Sequence, residues 1–121
     1  MHGNVSFVEL GTSDAERSRQ FFERVFGWSF HPMAAGGGWF QAPAMRVGLH
    51  GDDPQPQVYV FFEVPDLEQA IALVREAGGE ADPPAAEEAG FGRFSNCRDP
   101  QGIRFGLHVR YAAVTEAPSI K

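Results

Sequence analysis

Two short stretches of the chain repeat one pattern of residues that could do chemistry. MRVGLH (45–50) and IRFGLH (103–108) each place an arginine, a glycine and a histidine at alternating positions. Because alternate residues of a β-strand point to the same side of a sheet, the three residues of each stretch should share one face. An arginine can bind an anion through two parallel hydrogen bonds, and a histidine can bind a metal ion or transfer a proton. The two stretches are therefore candidate parts of a binding or catalytic site.

The same alternation adds residues from two other strand-like stretches to this candidate face. The face then holds aromatic rings, charged groups and two glycines: Phe7, Glu9, Arg46, Gly48, His50, Tyr59, Phe61, Glu63, Arg104, Gly106 and His108. The residues between the repeated positions are apolar and should point the other way, against helices: Val47, Leu49, Phe105 and Leu107. Such a face could stack a planar ligand and orient it through a few polar contacts.

Each charged member of this face has a chemical and a structural interpretation. Glu9 could act as a general base if it is partly buried among aromatic rings, or it could form an ion pair with Arg46 or Arg104. The two arginines could hold an anionic ligand, or they could be solvated at a strand edge. His50 and His108 could be metal ligands completed by a glutamate, or strand-end residues that a duplication repeated.

Two further features have the same ambiguity. GGGWFQ (36–41) predicts a hairpin in which Trp39 or Phe40 either closes on a ligand or packs into the core. Cys97 has no histidine or lysine beside it in the sequence, which favours a packing role over that of a nucleophile.

The elements that position these residues occur twice in the same order. A strand over residues 5–13 is followed by the helix AERSRQFFERVF, which begins after Asp14 and ends at Gly27, and then by three strands. From residue 57, a strand, the helix LEQAIALVREAGG after Asp66 and three more strands repeat the order. The helices carry apolar stripes at Phe21, Phe22, Val25 and Phe26 and at Leu67, Ala70, Ile71 and Val74. The sequence thus predicts two βαβββ modules, about 4–51 and 57–110, and a peripheral tail at 111–121.

Composition narrows the class of protein. The length of 121 residues suits one compact domain, and the net charge of −6 without a basic stripe argues against nucleic-acid binding. No apolar run approaches the length of a membrane span, and the N-terminus lacks the pattern of a signal peptide. The single cysteine fits a reducing compartment. We therefore expect a soluble cytoplasmic protein.

Three stretches, taken in order, resemble the vicinal oxygen chelate superfamily, which includes glyoxalase, bleomycin-resistance proteins, extradiol dioxygenases and methylmalonyl-CoA epimerase. SFVELGTSDAERSRQFFERVFGW resembles its first strand and helix, YVFFEVPDLEQAIALVREAGGE the start of its second module, and RDPQGIRFGLH its closing turn and strand. The resemblance covers about residues 4–110. It implies an α+β, glyoxalase-like fold in which two βαβββ modules form curved sheets around a cleft.

The resemblance also implies up to four metal ligands, on the first and last strand of each module. The matching positions in this chain are Phe7, Gly48, Tyr59 and Gly106, and none is an ordinary metal ligand. A glycine in place of a carboxylate should also leave room for a ligand to approach the backbone.

We therefore expect metal-independent, cofactor-free binding of a small, partly aromatic organic molecule, as in bleomycin-resistance proteins. The expected assembly is a homodimer, with neither a nucleic acid nor a membrane as partner. The alternative is a lyase, isomerase or dioxygenase that uses Zn, Ni, Mn or Fe, with ligands relocated to His50, His108 and a glutamate. A third interpretation is an accessory module whose cleft is filled by its own side chains. Whether the chain is an enzyme stays open at this point.

Overall fold

The computed structural model describes residues 3–33, 36–86 and 91–110. The predicted peripheral tail, 111–121, lies outside the described residues. Within them the chain forms two helices and eight strands, in the order β1 (Asn4–Gly11), α1 (Ala15–Phe26), β2 (Ser29–Pro32), β3 (Gly38–Gln41), β4 (Arg46–His50), β5 (Gln57–Glu63), α2 (Leu67–Glu76), β6 (Glu80–Ala81), β7 (Gly92–Arg98) and β8 (Arg104–Arg110). The predicted repeat of βαβββ is confirmed.

The chain divides into two compact units. The N-terminal unit is Phe7–Val60, and the C-terminal unit contains the chain up to Ser6 together with the chain from Phe61 onward. Neighbouring strands follow the order β2-β3-β4-β1 in the first and β5-β8-β7-β6 in the second. Each unit pairs its first and last strands in parallel and its other strands antiparallel. This mixed pairing agrees with the α+β fold that the sequence predicts.

Both helices begin as their sequences predict. Asp14 accepts a hydrogen bond from the backbone N–H of Arg17 at 3.2 Å, and Asp66 accepts one from Gln69 at 3.0 Å. Each carboxylate thereby satisfies a backbone donor that has no partner within its helix. Gly27 ends α1 in the left-handed conformation at φ 71°, which costs glycine little.

The core of the N-terminal unit lies between its sheet and α1. Phe40, Val47 and Leu49 are buried there, and Phe22 of α1 packs against them. Only part of the apolar stripe of α1 faces this core, because Phe21, Val25 and Phe26 are exposed by 59%, 53% and 56%. The apolar stripe of α1 is wider than the strip of sheet that this helix covers.

The core of the C-terminal unit follows the predicted pattern more closely. Leu67 and Ile71 of α2 are buried with Cys97 and Leu107, and the other stripe residues of α2, Ala70 and Val74, pack against them. Burial raises the pKa of the Cys97 thiol. That cysteine has the environment of a packing residue, not of a nucleophile.

Candidate functional site

The structure distributes the predicted site residues between the two units. The N-terminal unit contains Phe7, Glu9, Trp39, Arg46, Gly48, His50 and Tyr59. The C-terminal unit contains Phe61, Arg104, Gly106 and His108.

A row of directly opposed residues crosses the sheet of the N-terminal unit. Glu9 on β1 pairs with Gly48 on β4, Gly48 pairs with Trp39 on β3, and Trp39 pairs with His31 on β2. Residues paired across strands point to the same side of a sheet. Because Val47 and Leu49 face the core, this row lies on the opposite face, as the alternation predicts. We call this surface, with Glu9, His31, Trp39, Arg46 and His50, the polar face.

Trp39 is the centre of a stack of three side chains on the polar face. The guanidinium carbon of Arg46 lies 3.9 Å from the centre of the indole ring, within the range of a cation–π contact. The His31 ring stacks on the same indole with centroids 4.0 Å apart and planes at 12°. Phe40, the other candidate of the hairpin, is fully buried. In this hairpin, therefore, Phe40 packs into the core and Trp39 lies on the polar face.

Sequence reasoning missed His31 as a member of the polar face. It stands next to Pro32 at the end of a short strand, where its spacing indicates no role. Only the register of the hairpin, which sets His31 directly opposite Trp39, brings the two rings together.

A second group on the polar face consists of one histidine between two carboxylates. The Nδ1 of His50 lies 2.6 Å from a Glu9 carboxylate oxygen, and its Nε2 lies 3.3 Å from one of Asp53. Because carboxylates only accept, a His50 ring that donates to both must be a charged imidazolium. Burial alone would lower the pKa of His50, but the hydrogen bonds to Glu9 and Asp53 outweigh burial and raise it.

The geometry of this group changes the interpretation of Glu9. The sequence left open a general base or an ion pair with an arginine, and the structure places the imidazole ring of His50 against its carboxylate. Asp53 was not predicted, although its place three residues after His50 in the polar connector was a usable signal. The contact between His50 and Asp53 lies next to Gly11, where a side-chain carbon would collide with the imidazole ring and with the carboxylate.

The pairing of His50 predicts a pH-dependent contribution to stability. Since the pKa is raised above the ordinary value of 6.5, the contribution is complete below pH 6.5 and is lost as the pH rises through the folded-state pKa. We expect His50→Gln to destabilise the protein at about pH 5.5, and by less at about pH 8.5. Urea unfolding of both proteins across this range measures the difference, and His31→Gln, on the same face, is the control. A difference that grows with pH would contradict the assignment.

The two glycines of the repeated stretch do not open space for a ligand, contrary to the sequence-based expectation. A side-chain carbon on Gly48 would meet the Glu9 carboxylate and, at 2.8 Å, the ring of Phe7. One on Gly106 would meet the ring of Phe61. The volume that a larger residue would occupy is already filled by neighbouring side chains.

His108 has the opposite environment to His50, although the two occupy the same position in the repeat. It is 4% exposed; its Nε2 lies 2.6 Å from the Phe91 carbonyl oxygen and its Nδ1 lies 2.7 Å from the Ser6 hydroxyl. A carbonyl can only accept, so Nε2 carries the proton, and in a neutral ring Nδ1 is an acceptor. The Ser6 hydroxyl has two acceptors within reach, this Nδ1 and the Phe61 carbonyl oxygen at 3.4 Å. Burial lowers the pKa of His108 more than the bond to Phe91 raises it, so the ring is neutral.

Aromatic rings close the corresponding face of the C-terminal unit. Phe61, Phe91 and Phe94 meet edge to face with centroids 5.6–6.0 Å apart, and the Phe91 ring stacks on His108 at 4.1 Å. Phe61 is 6% exposed and covers Gly106. Two other predicted site residues lie outside this aromatic cluster. Arg104 is exposed and is paired with Arg98 on the neighbouring strand. The Tyr59 ring belongs to the N-terminal unit and lies 6.4 Å from the ring of His50.

Comparison of the sequence with known protein families gives an assignment that agrees with the observed strand topology. A family model described as the glyoxalase/bleomycin resistance protein/dioxygenase superfamily matches residues 4–107. The chain belongs to this superfamily. That assignment confirms the resemblance inferred from the three sequence stretches.

Relatives within this superfamily are distant in sequence. The chain is 27% identical to "Putative glyoxylase CFP32" of Mycobacterium bovis and of Mycobacterium tuberculosis over 98% of its own length and 52% of theirs. It is also 27% identical to a glyoxylase-like domain-containing protein of Didymella fabae, over 66% of this chain and 72% of that protein. The chain thus spans about half the length of the mycobacterial relatives.

Solved structures of the superfamily share the fold at low identity. Methylmalonyl-CoA epimerase from Mycobacterium tuberculosis matches with a TM-score of 0.71 and 14% identity, covering 94% of this chain and 91% of that one. Homoprotocatechuate 2,3-dioxygenase from Brevibacterium fuscum matches with a TM-score of 0.74 and 18% identity, covering 90% of this chain and 37% of that one. At these identities the likeness establishes the glyoxalase-like fold.

The residues at the superfamily's ligand positions do not fit a divalent metal ion. Phe7, Gly48 and Gly106 have no donor atom in their side chains, and Tyr59 is a rare ligand. The relocated ligands also fit poorly, because the two nitrogens of His50 diverge toward different carboxylates and both nitrogens of His108 are hydrogen-bonded. Within residues 3–33, 36–86 and 91–110, no three histidine, cysteine or acidic side chains form a group that could hold a metal.

Proposed function

We propose that the chain binds a small, partly aromatic organic molecule on the polar face without a metal ion. The observation that carries the proposal is the replacement of the superfamily's carboxylate positions by Gly48 and Gly106, whose side-chain volume Glu9, Phe7 and Phe61 occupy. An imidazolium and a stacked guanidinium stand on the polar face instead. These groups bind and orient a ligand through their charge and their flat surfaces.

Exposure supports the polar face as the place where the ligand binds. The His50 side chain is 42% exposed, and Trp39 is only partly buried although Arg46 and His31 stack on it. The corresponding face of the C-terminal unit has Phe61 and His108 buried under its own rings. A face closed by its own side chains is what the accessory-module interpretation expects. We therefore assign ligand binding to the N-terminal unit.

We also propose that the chain forms a homodimer and works in a reducing compartment. The exposed apolar side chains of α1, Phe21, Val25 and Phe26, support self-association, since apolar groups left in water favour burial. Cys97 is 4% exposed and packed in the core, which suits a chain without disulfides. None of the helices in the described part of the chain has the length and apolar character needed to cross a membrane.

The two tryptophans provide a test with an internal control. In Trp28→Phe, Trp39 is the remaining reporter, and in Trp39→Phe the reporter is Trp28, which stacks on Phe26 at 4.6 Å. We expect 4-nitrobenzyl alcohol, a flat quencher without charge, to quench Trp39 saturably and Trp28 only by collision. The titration should be unchanged by excess EDTA and by added Zn²⁺, Ni²⁺, Mn²⁺ or Fe²⁺.

Two outcomes would overturn the proposed function. Quenching that EDTA abolishes and one metal restores would support the relocated-ligand enzyme instead. Quenching of Trp39 that never saturates, with the same slope as that of Trp28, would favour the accessory module.

A further inference from the structure

We infer that the ligand carries a carboxylate or a similar anionic group, which the guanidinium of Arg46 binds. The inference rests on the proposed function and specifies the class of ligand. Its starting point is the geometry of Arg46, which lies over the Trp39 ring with its guanidinium carbon 3.9 Å from the ring centre.

The stack on Trp39 occupies a face of the guanidinium but not its hydrogen-bond donors. The five N–H groups of arginine lie in the guanidinium plane and point outward from its edge. Within the described part of the chain, the Arg46 side chain makes a cation–π contact with the Trp39 ring and forms no hydrogen bond or ion pair. Other arginines are paired: Arg19 with Glu16, Arg93 with Glu68 and Arg110 with Glu63.

The acidic residues of the same face are held by His50. Glu9 and Asp53 both contact its imidazole ring, at opposite nitrogens. His50 thus offsets their charge and fixes their positions. Arg46 is left as a cation whose donors face solvent, and a bidentate acceptor from outside the chain suits them best.

The neighbours of Arg46 indicate why the anion should be attached to an aromatic group. Val8 pairs with Val47 in the parallel register of β1 and β4, so Phe7 and Arg46, one residue earlier on each strand, are neighbours on one face. The Phe7 ring reaches the position of a side-chain carbon on Gly48, and Gly48 is paired with Trp39, so two aromatic side chains border the strand of Arg46 on the polar face. An aryl carboxylate held by its charge at Arg46 would place its ring against one of these two aromatic groups.

The contact with the Trp39 ring restrains the Arg46 side chain before the ligand arrives. Less side-chain freedom is then lost on binding than for an unsupported arginine. Lysine, a point charge without a fork, should reproduce the attraction but not the paired hydrogen bonds.

The test compares two probes that share a nitrophenyl ring and differ in one substituent, which is a carboxylate in one and a neutral hydroxymethyl group in the other. In the Trp28→Phe background we expect 4-nitrobenzoate to bind about tenfold more tightly than 4-nitrobenzyl alcohol, as charge-assisted hydrogen bonds would give. Arg46→Gln should weaken binding of 4-nitrobenzoate far more than binding of 4-nitrobenzyl alcohol and so abolish the preference, and Arg46→Lys should retain part of it. Arg24→Gln, which removes an exposed charge from the last turn of α1, is the matched control and should keep the full preference.

The outcomes separate this inference from the proposed function. Equal affinity for the two probes, or a preference that survives Arg46→Gln, overturns the anion site and leaves the proposed function standing. If neither probe binds saturably to the Trp28→Phe protein, the proposed function fails and the inference fails with it. Circular dichroism of each variant verifies that loss of preference is not loss of fold.

Discussion

Gly106→Glu, which restores the carboxylate typical of the superfamily at this position, is expected to destabilise the protein and to create no metal site. The first side-chain carbon would overlap the ring of Phe61, and the carboxylate would enter a closed aromatic cluster. Overpacking costs about 1–3 kcal/mol and an unpaired buried carboxylate costs more, so we expect a loss above about 3 kcal/mol. Urea unfolding with and without Zn²⁺ or Mn²⁺ measures it.

Two comparisons isolate the reason for that loss. Gly106→Ala should cost about 1–3 kcal/mol, whereas Gly51→Ala, whose new carbon makes only an ordinary contact with Ala15, should change stability by less than about 0.5 kcal/mol. Combining Gly106→Glu with Phe61→Ala should cost less than the two separate losses added together, since the small residue gives the carboxylate room. A stable Gly106→Glu protein with one bound metal ion would show that the metal site was lost through a single substitution.

His108→Leu is expected to destabilise the protein because it removes two hydrogen bonds of a buried ring. Nδ1 of His108 is hydrogen-bonded to the Ser6 hydroxyl, and Nε2 donates to the Phe91 carbonyl. The Phe91 carbonyl loses the bond to His108, and the Ser6 hydroxyl keeps the Phe61 carbonyl oxygen at 3.4 Å, so we expect a loss of about 1–3 kcal/mol. A double-mutant cycle with Ser6→Ala measures the coupling, and additive losses would contradict the bond between Ser6 and His108.

The pH dependence of this loss should have the opposite sign to that of His50. Because the pKa of His108 is lowered below 6.5, its contribution to stability is complete above pH 6.5 and is lost as the pH falls toward the folded-state pKa. The difference between wild type and His108→Leu should therefore shrink from about pH 7.5 to about pH 5. If it widens instead, His108 is charged in the folded protein.

Most of the fold could be predicted from local patterns. The period of apolar residues placed both helices, and Asp14, Asp66 and Gly27 marked their ends, because caps depend on backbone groups only a few residues away. Alternation correctly separated Val47 and Leu49, which face the core, from Arg46 and His50. The three superfamily stretches identified the family, and the glycines at two ligand positions are visible in the sequence alone.

The site depended on contacts that local patterns do not encode. The sequence showed two identical positions, His50 and His108, but only the tertiary structure placed one between two carboxylates, which raise its pKa, and buried the other, which lowers its pKa. The sequence showed Gly48 and Gly106, but it did not show that Glu9 and Phe61 fill the volume beside these glycines. A residue's type and period determine which face it occupies, whereas its partners depend on strand register and on which neighbouring side chain is long enough to reach it. The sequence therefore determined the modules and the faces, and the tertiary structure decided the contacts of the residues on those faces.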